Sequence, residues 1–279
     1  MINIGNFNKL RVVRQADFGY YLDGGTENTS DDILLPNNST LGQELNIDDE
    51  VNAFIYRDSS DRLIATLKKP LATVGEVAYL KVVSNTNAGS FIDFGLERDI
   101  LVPFKEKLYG LEEGKYYLFY IYLDKTNRLA ATTNVDKYLL TPSPYKMNDT
   151  VKGIVYGFQT NGSAMIAVDN KYKGVVLKNE YFSQITCGEI LELRVNRIYE
   201  GGKLGLTTRK PAKVENELLQ ETILSYLKEN DGFIAYNDKS SPDEIYSVFH
   251  ISKNYFKNAL GGLMKKGLIT QDVTGTKLK

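Results

Sequence analysis

The sequence predicts a mainly β, multidomain chain: three small closed β-barrels in tandem, followed by a winged-helix domain. The first observation behind this is a pattern that recurs three times. It reads Asp17-Phe18-Gly19-Tyr20-Tyr21-Leu22-Asp23, then Ile33-Leu34-Leu35-Pro36, then Asp58 through Arg62 to Thr66. It returns as Ala88-Gly89-Ser90-Phe91-Ile92-Asp93, Ile100-Leu101-Val102-Pro103 and Asp124 through Arg128 to Thr132. A weaker copy runs Asn161-Gly162-Ser163-Ala164-Met165, Gly174-Val175-Val176-Leu177 and Lys203-Leu204-Gly205-Leu206-Thr207. Thr66, Thr132 and Thr207 lie 66 and 75 residues apart. That interval is too long for a solenoid repeat and suits a small closed barrel. The second observation is period-2 alternation inside each repeat, and the third is a change to helical period after Pro211.

The elements follow in order. Gly, Asn and Asp bound each alternating run, as strands and turns require. Leu191, Leu193 and Val195 alternate with Glu192, Arg194 and Asn196 in the third repeat. Tyr116 to Leu123 is apolar on both faces, so that whichever face is core, the other is expected to show rings. A proline near Lys68-Lys69-Pro70, near residues 138–144 and at Arg209-Lys210-Pro211 breaks the last strand of each repeat. These junctions set modules at 1–70, 71–141, 142–211 and 212–279, and the stretches near Pro211 and over 138–148 are expected to be lightly held. In the last module Val214, Leu218, Leu219, Thr222, Ile223, Tyr226 and Leu227 share one helical face. Ser241-Pro242-Asp243-Glu244 is a helix start: Ser241 caps, Pro242 loses no bond in the first turn, and Glu244 completes a capping box. Ile245, Val248 and Phe249 point inward from this short helix. Ser252 is placed to cap a third helix with a stripe of Phe256, Ala259, Leu260, Leu263 and Met264. Gly267 ends it, and Leu268-Ile269-Thr270 pairs with Thr276-Lys277-Leu278 across Gly275. Three helices and a hairpin make a winged helix, a helix-turn-helix variant.

Composition narrows function. The 279 residues carry 34 basic and 35 acidic side chains, which argues against an indiscriminate polyanion binder. By module the net charge is −4, −1, +4 and 0, so the third module is the basic one. One cysteine, Cys187, excludes an intrachain disulfide and any multi-cysteine metal site. One histidine, His250, removes most hydrolase and metalloenzyme constellations; it reads as a capping or packing residue between helices, and Cys187 as a structural residue in a turn. No nucleophile–base pair or metal-spaced carboxylate cluster is visible, so no enzyme, cofactor or metal is expected. The N-terminus lacks the regions of a signal peptide and the longest apolar run is far short of a membrane span, so a soluble, cytoplasmic protein with no membrane partner is expected.

The repeats resemble the S1-type OB-fold, the RNA-binding barrel of ribosomal protein S1 and polynucleotide phosphorylase. That signature is a Phe-Gly-x-Phe segment, a histidine after the third strand, and Asp-x-x-x-Arg before the last. The first module has Phe18, Gly19, Tyr21, Asp58 and Arg62. The second has Gly89, Phe91, Asp124 and Arg128, with Ala88 at the first ring position. The third has Asn161 and Ala164 at the ring positions, and Pro36, Pro103 and Leu177 replace the histidine. The whole chain resembles the conserved virulence factor B family. Leu227-Lys228-Glu229-Asn230-Asp231-Gly232-Phe233, Asn237 to Tyr246, Ser252-Lys253 and Phe256-Lys257-Asn258-Ala259 carry that likeness most specifically. The resemblance implies a bacterial cytoplasmic RNA-binding protein that affects gene expression after transcription, with no catalytic activity.

Single-stranded RNA is thus the expected partner. OB-folds stack bases on aromatic rings beside cations that meet phosphates. Phe18 and Tyr21 could form such a platform with Arg62 beside it, unless one ring fills the barrel; Phe91 and Arg128 are their counterparts in module two. Arg62 and Arg128 are open to two readings, nucleotide contact or an Asp–Arg clamp within the turn. In module three the charge of Arg194, Arg197, Lys203, Arg209 and Lys210, with Lys152, Lys171, Lys173 and Lys178, makes a backbone-contacting groove plausible. On the third helix of the winged domain, Lys253, Asn254, Lys257 and Asn258 oppose the apolar stripe, a face that could enter a DNA major groove. Zero net charge leaves RNA, ribosomal or RNA-decay proteins as equal partners for that face. The rival readings are a DNA-binding regulator acting through the winged helix and a protein-interaction scaffold with vestigial barrels.

Overall fold

The computed structural model describes residues 2–26, 28–181, 184–209 and 212–279, with side chains in the first helix from Asn216 onward. Lys210, Pro211 and the side chain of Val214 therefore lie outside the described residues. Two compact units are present, residues 1–208 and 209–279.

In the first unit each repeat closes into a five-stranded barrel. The first is built from β1 (Phe7–Ala16), β2 (Gly19–Leu22), β3 (Ile33–Pro36), β4 (Glu50–Arg57) and β5 (Leu63–Thr66), in the order β1-β2-β3-β5-β4. The second uses β6 (Val77–Thr86), β7 (Gly89–Ile92), β8 (Ile100–Pro103), β9 (Tyr116–Leu123) and β10 (Leu129–Thr132). The third uses β11 (Thr150–Phe158), β12 (Ala164–Val168), β13 (Tyr172–Val176), β14 (Ile190–Ile198) and β15 (Leu204–Thr207). Each third and fifth strand pair in parallel, and the closed circuit leaves no free edge.

The repeated residues have local causes. A Cβ on Gly19 would sit 2.3 Å from the Leu35 carbonyl oxygen, and one on Gly89 2.1 Å from that of Val102. Only glycine lets these strands cross so closely. The repeated threonines end β5, β10 and β15 and are buried. The Thr66 hydroxyl accepts from the Lys68 N–H at 3.1 Å, and that of Thr132 from the Asn134 N–H at 3.0 Å.

Alternation along the fourth strands explains how the barrels join. From β4, Val51, Ala53 and Ile55 enter the first core beside Val12, Leu22 and Leu35. Phe54 and Tyr56, on the outer face, join the core cluster of the second barrel, with the Phe54 and Phe94 rings 6.1 Å apart. From β9, Tyr117, Phe119 and Ile121 fill the second barrel. Its outer residues Leu118 and Tyr120 pack against Ile154, Tyr156 and Ala167 of the third. The second face of Tyr116–Leu123 carries rings as expected, Tyr116 exposed and Tyr120 and Tyr122 half-buried, but Leu118 and Tyr120 on that face also meet the next barrel. On β14 the alternate positions carry Glu192, Arg194 and Asn196 instead, which are unsuited to such a joint.

Of the stretch 138–148, expected to be lightly held, the residues up to Leu140 are packed, while most of 141–148 are exposed. Val135 and Leu139 are buried in the joint between the second and third barrels. The Leu140 N–H donates to the Lys171 carbonyl at 2.7 Å, and the Lys173 N–H to the Leu140 carbonyl at 3.1 Å. The Tyr138 ring stacks on Tyr120 with centroids 3.3 Å apart. Residues 135–140 are thus part of the packing.

The second unit holds α1 (Ala212–Glu229), β16 (Phe233–Ile234), α2 (Pro242–Phe249), α3 (Lys253–Lys265), β17 (Ile269–Asp272) and β18 (Gly275–Leu278). The hairpin forms as expected, and β16 adds a third strand to it that the pattern did not reveal. The capping box is complete: Glu244 N–H donates to Ser241 Oγ at 3.2 Å, and Ser241 N–H to Glu244 Oε2 at 2.8 Å. Ser252 occupies the N-cap of α3, but its side chain makes no capping bond. His250 ends α2 in the left-handed conformation, φ 53°, its N–H donating to the Tyr246 carbonyl. The buried line of α1 is Leu219, Ile223 and Leu227, with Gln220 beside it; Leu218 and Thr222, expected inside, are exposed. Strict i, i+4 spacing makes the stripe narrower than expected. Met264 likewise faces outward, while Phe256, Ala259, Leu260 and Leu263 are buried.

Candidate nucleic-acid interface

Strand register sets equivalent positions in the three barrels. Tyr21 pairs with Leu34, Phe91 with Leu101, and Met165 with Val175, all on the half-buried face of the second strand. Counting back, Phe18, Ala88 and Gly162 share the preceding turn. The ring positions of the third barrel are therefore Gly162 and Met165, not Asn161 and Ala164, a slip of one residue. Ala164 faces the core.

In the first barrel the expected rings meet on the surface. Phe18 is 59% exposed, and its ring lies edge-on to Tyr21 with centroids 6.3 Å apart. Arg14 places its guanidinium carbon 3.6 Å from the centre of the Tyr21 ring. Arg14 was not a sequence candidate, although β1 pairs it directly with Tyr21. Next to the rings a cleft of about 620 Å³ opens, lined by Tyr21, Leu34, Arg57, Asp58 and Arg62 among others.

The turn between β4 and β5 shows what the Asp-x-x-x-Arg motif does. Asp58 Oδ1 accepts from the Ser60 and Arg62 N–H groups at 2.8 and 3.0 Å, and Asp124 Oδ1 accepts likewise from Thr126 and Arg128 at 2.7 and 3.0 Å. Burial pushes the Asp58 carboxyl up, but hydrogen bonds from Arg62 and the turn backbone outweigh it and hold the group below the usual aspartate range. The two arginines then diverge. Arg62 returns to Asp58 Oδ2 through Nε and a terminal nitrogen at 3.0 and 2.8 Å, the clamp, while its side chain stays 73% exposed on the cleft rim. Arg128 reaches the first barrel instead, meeting both carboxylate oxygens of Asp61 at 2.6 and 2.5 Å.

That joint walls the second cleft. Phe91 is half-buried and lines a cavity of about 460 Å³ whose other residues include Tyr56, Arg57 and Ser59 from the first barrel and Arg98 and Arg128 from the second. Arg57 thus borders both clefts. One of its terminal nitrogens donates to the Asp61 carbonyl, whereas its buried Nε has no partner among the described residues. Arg98 donates to Ser59 Oγ at 3.1 Å. Neither arginine stands in a repeated motif, so neither was legible before the fold.

The third barrel offers less. Met165 packs in the joint with the second barrel. Lys173 Nζ and the Tyr156 hydroxyl donate to the two oxygens of Asp136 at 2.9 and 2.7 Å. Burial raises the Asp136 carboxyl, but these bonds and the nearby charges of Lys173 and Lys203 outweigh it and hold it below the usual aspartate range. Of the expected groove, Arg194 donates to Asn148 Oδ1 at 3.0 Å, and the Arg197 guanidinium carbon sits 4.9 Å from the Tyr199 ring centre. Lys203 lies in the β14–β15 turn next to Asp136. Arg209 belongs to the second unit, where it donates to the Tyr255 hydroxyl at 3.0 Å. Arg194, Arg197 and Lys203 thus share the β14–β15 hairpin, and Arg194 and Arg209 already have protein partners.

On α3, Asn254, Lys257 and Asn258 are exposed opposite the buried stripe. Lys253 is half-buried and donates to the Lys239 carbonyl at 3.3 Å. Cys187 packs against the core of the second barrel, where burial pushes its thiol up. Among the described residues no group of three or more His, Cys, Asp or Glu is placed to hold a metal ion, and no helix is long and apolar enough to cross a membrane.

Comparison with known proteins agrees with this anatomy. Residues 4–68 and 74–134 match the S1 domain family model, and residues 221–278 match that of the CvfB-like winged helix domain. A Bacillus subtilis protein, YitL, is 32% identical over 94% of this chain and 89% of its own length. Conserved virulence factor B of Staphylococcus epidermidis is 32% identical over 98% of this chain and 95% of its own. A crystal structure of a multidomain protein with nucleic acid binding domains from Streptococcus pneumoniae superposes with a TM-score of 0.53 at 26% identity, covering 99% of this chain and 98% of that one. With S1 barrels and the winged helix in one chain, and full-length relatives at this level of identity, the chain belongs to the conserved virulence factor B family.

Proposed function

We propose that this protein binds single-stranded RNA without catalysing a reaction, with the open face of the first barrel as its principal contact, and so influences gene expression after transcription in the bacterial cytoplasm. The observation that carries the reading is the cluster of the exposed Phe18 and Arg14 with the half-buried Tyr21, whose ring also lines the cleft. Two rings and a stacked guanidinium are what OB-folds use to hold bases that are already unpaired. The S1 matches and the nucleic acid binding domains named for the pneumococcal structure support the ligand class. The cleft rim carries Asp31, Asp32, Asp58 and Asp61 against Arg57 and Arg62, which favours stacking over phosphate attraction as the source of affinity.

The test is titration of a uridine- or guanine-containing single strand with the Phe18→Ala, Tyr21→Ala double variant. Loss of stacking weakens binding by about 1–3 kcal/mol per base and leaves the salt slope unchanged, because rings release no counterions. Parent-like binding by the folded variant would remove the site. A second reading, duplex DNA recognition through the winged helix, is favoured by the exposed Asn254, Lys257 and Asn258 on α3. Preference for duplex DNA over the single strand in direct competition would select it.

A further inference from the structure

The second barrel has no ring at the turn where the first has Phe18, since Ala88 stands there. In the first barrel the Asn37 N–H donates to the Phe18 carbonyl at 3.1 Å; in the second the Phe104 N–H donates to the Ala88 carbonyl, also at 3.1 Å. The two corners are the same backbone arrangement, and the aromatic side chain has moved from one side of that hydrogen bond to the other. Phe104 is 71% exposed, more than Phe18. Leu108, on the same turn, is 62% exposed.

A cation is fixed beside the moved ring. Lys107 Nζ lies 5.5 Å from the Phe104 ring centre and donates to Ser90 Oγ at 2.9 Å. Ser90 is fully buried and bonded to Asn85, whose side-chain nitrogen donates to the Leu111 carbonyl at 3.0 Å. This chain of bonds holds a long, otherwise free side chain at the edge of the ring, so little ordering entropy remains to be lost when a ligand arrives.

We infer that Phe104 and Lys107 form a second base-stacking site, in which Phe104 takes one unpaired nucleobase of a single-stranded nucleic acid and Lys107 meets the adjoining phosphate. The choice of occupant rests on the paired ring and cation and on the identity of this corner with the Phe18 corner; an apolar protein segment would gain nothing from the ammonium. The inference depends on the reading of the first barrel given above, and it adds a contact for a strand long enough to leave that barrel.

The experiment measures full-length protein against two fluorescent oligouridines, one spanning a single barrel and one spanning two; a barrel covers on the order of 4–16 nucleotides. The parent binds the longer strand more tightly. Phe104→Ala abolishes that gain, a loss of roughly fivefold or more, and leaves the short strand unaffected. Phe104→Tyr restores the gain, which a folding defect would not explain. If Phe104→Ala keeps the gain while Phe18→Ala with Tyr21→Ala weakens both strands, the second site is wrong and the first-barrel reading stands. If the parent binds neither strand, both are wrong.

Discussion

Asp136 and Asp61 each hold two barrels together, and each gives a prediction at the scale of one residue. Asp136 leaves the linker to accept from Tyr156 and Lys173. Replacing it with alanine leaves the buried Tyr156 hydroxyl without its acceptor, at a cost of about 1–3 kcal/mol in the stability of the barrel unit. A shift in the urea midpoint of the barrel transition checks this; an unchanged midpoint would contradict it. Asp61 is held below the usual aspartate range chiefly by its hydrogen bonds from Arg128, and Asp136 is held there by bonds that outweigh its burial. A carboxyl lowered in the folded state stabilises the fold above its unfolded value and loses that contribution as pH falls through the folded value. The barrel unit therefore becomes less stable as pH drops below the ordinary aspartate range, near 4. Asp61→Asn reduces that slope, measured as melting temperature against pH, and added salt reduces it as well because the pair is exposed. Neither aspartate was singled out in the sequence. The aspartates that were, Asp58 and Asp124, could be found because each organises its own turn four residues from its arginine. A carboxylate whose partner lies 67 positions away, as Arg128 does from Asp61, leaves no local trace.

Strands show a sharper division between what was legible and what was not. Period 2 is legible along β14, where Leu193 and Val195 are buried between Glu192, Arg194 and Asn196, and the threonine spacing matches the three barrels, because both record burial within one repeat. The doubly apolar run of β9 also recorded burial, but it could not say what covered the second face. A strand beside a second barrel and a strand bearing exposed rings have the same pattern. The third repeat was misplaced by one residue because Gly162 and Ser163 supply no ring to anchor the register, which pairing settles. Among the helices, the capping box was readable because it is a strictly local device, whereas the burial of Gln220 instead of Thr222 depends on α3 lying against α1. In α3, Leu260 and Leu263 are fully buried. Leu260→Ala is expected to destabilise the winged-helix unit by about 2–5 kcal/mol, read by hydrogen exchange in residues 216–279. Protection there equal to the parent's would contradict this packing.

At the scale of the molecule, the barrels behave as one body because their apolar clusters run across the joints. Phe54 leaves its own barrel to join the core of the second, and Leu118 leaves the second to pack against the third. Phe54→Ala, at a fully buried position, removes about 3–5 kcal/mol from the whole barrel transition. Calorimetry is expected to show one cooperative barrel transition displaced as a whole; separate melting of the first barrel would contradict it. The same joints decide which binding faces remain open. The second barrel's cleft is walled by the first, and the half-buried Met165 of the third packs in its joint with the second. In the first barrel, by contrast, the Phe18 ring remains exposed.

That asymmetry is tested most directly by photocrosslinking the full-length protein to a 4-thiouridine single strand and mapping the adducts by mass spectrometry. The account predicts adducts on the peptide containing Phe18 and Tyr21, and none on the peptide containing Met165. Adducts concentrated at Met165 and absent around Phe18 would contradict it.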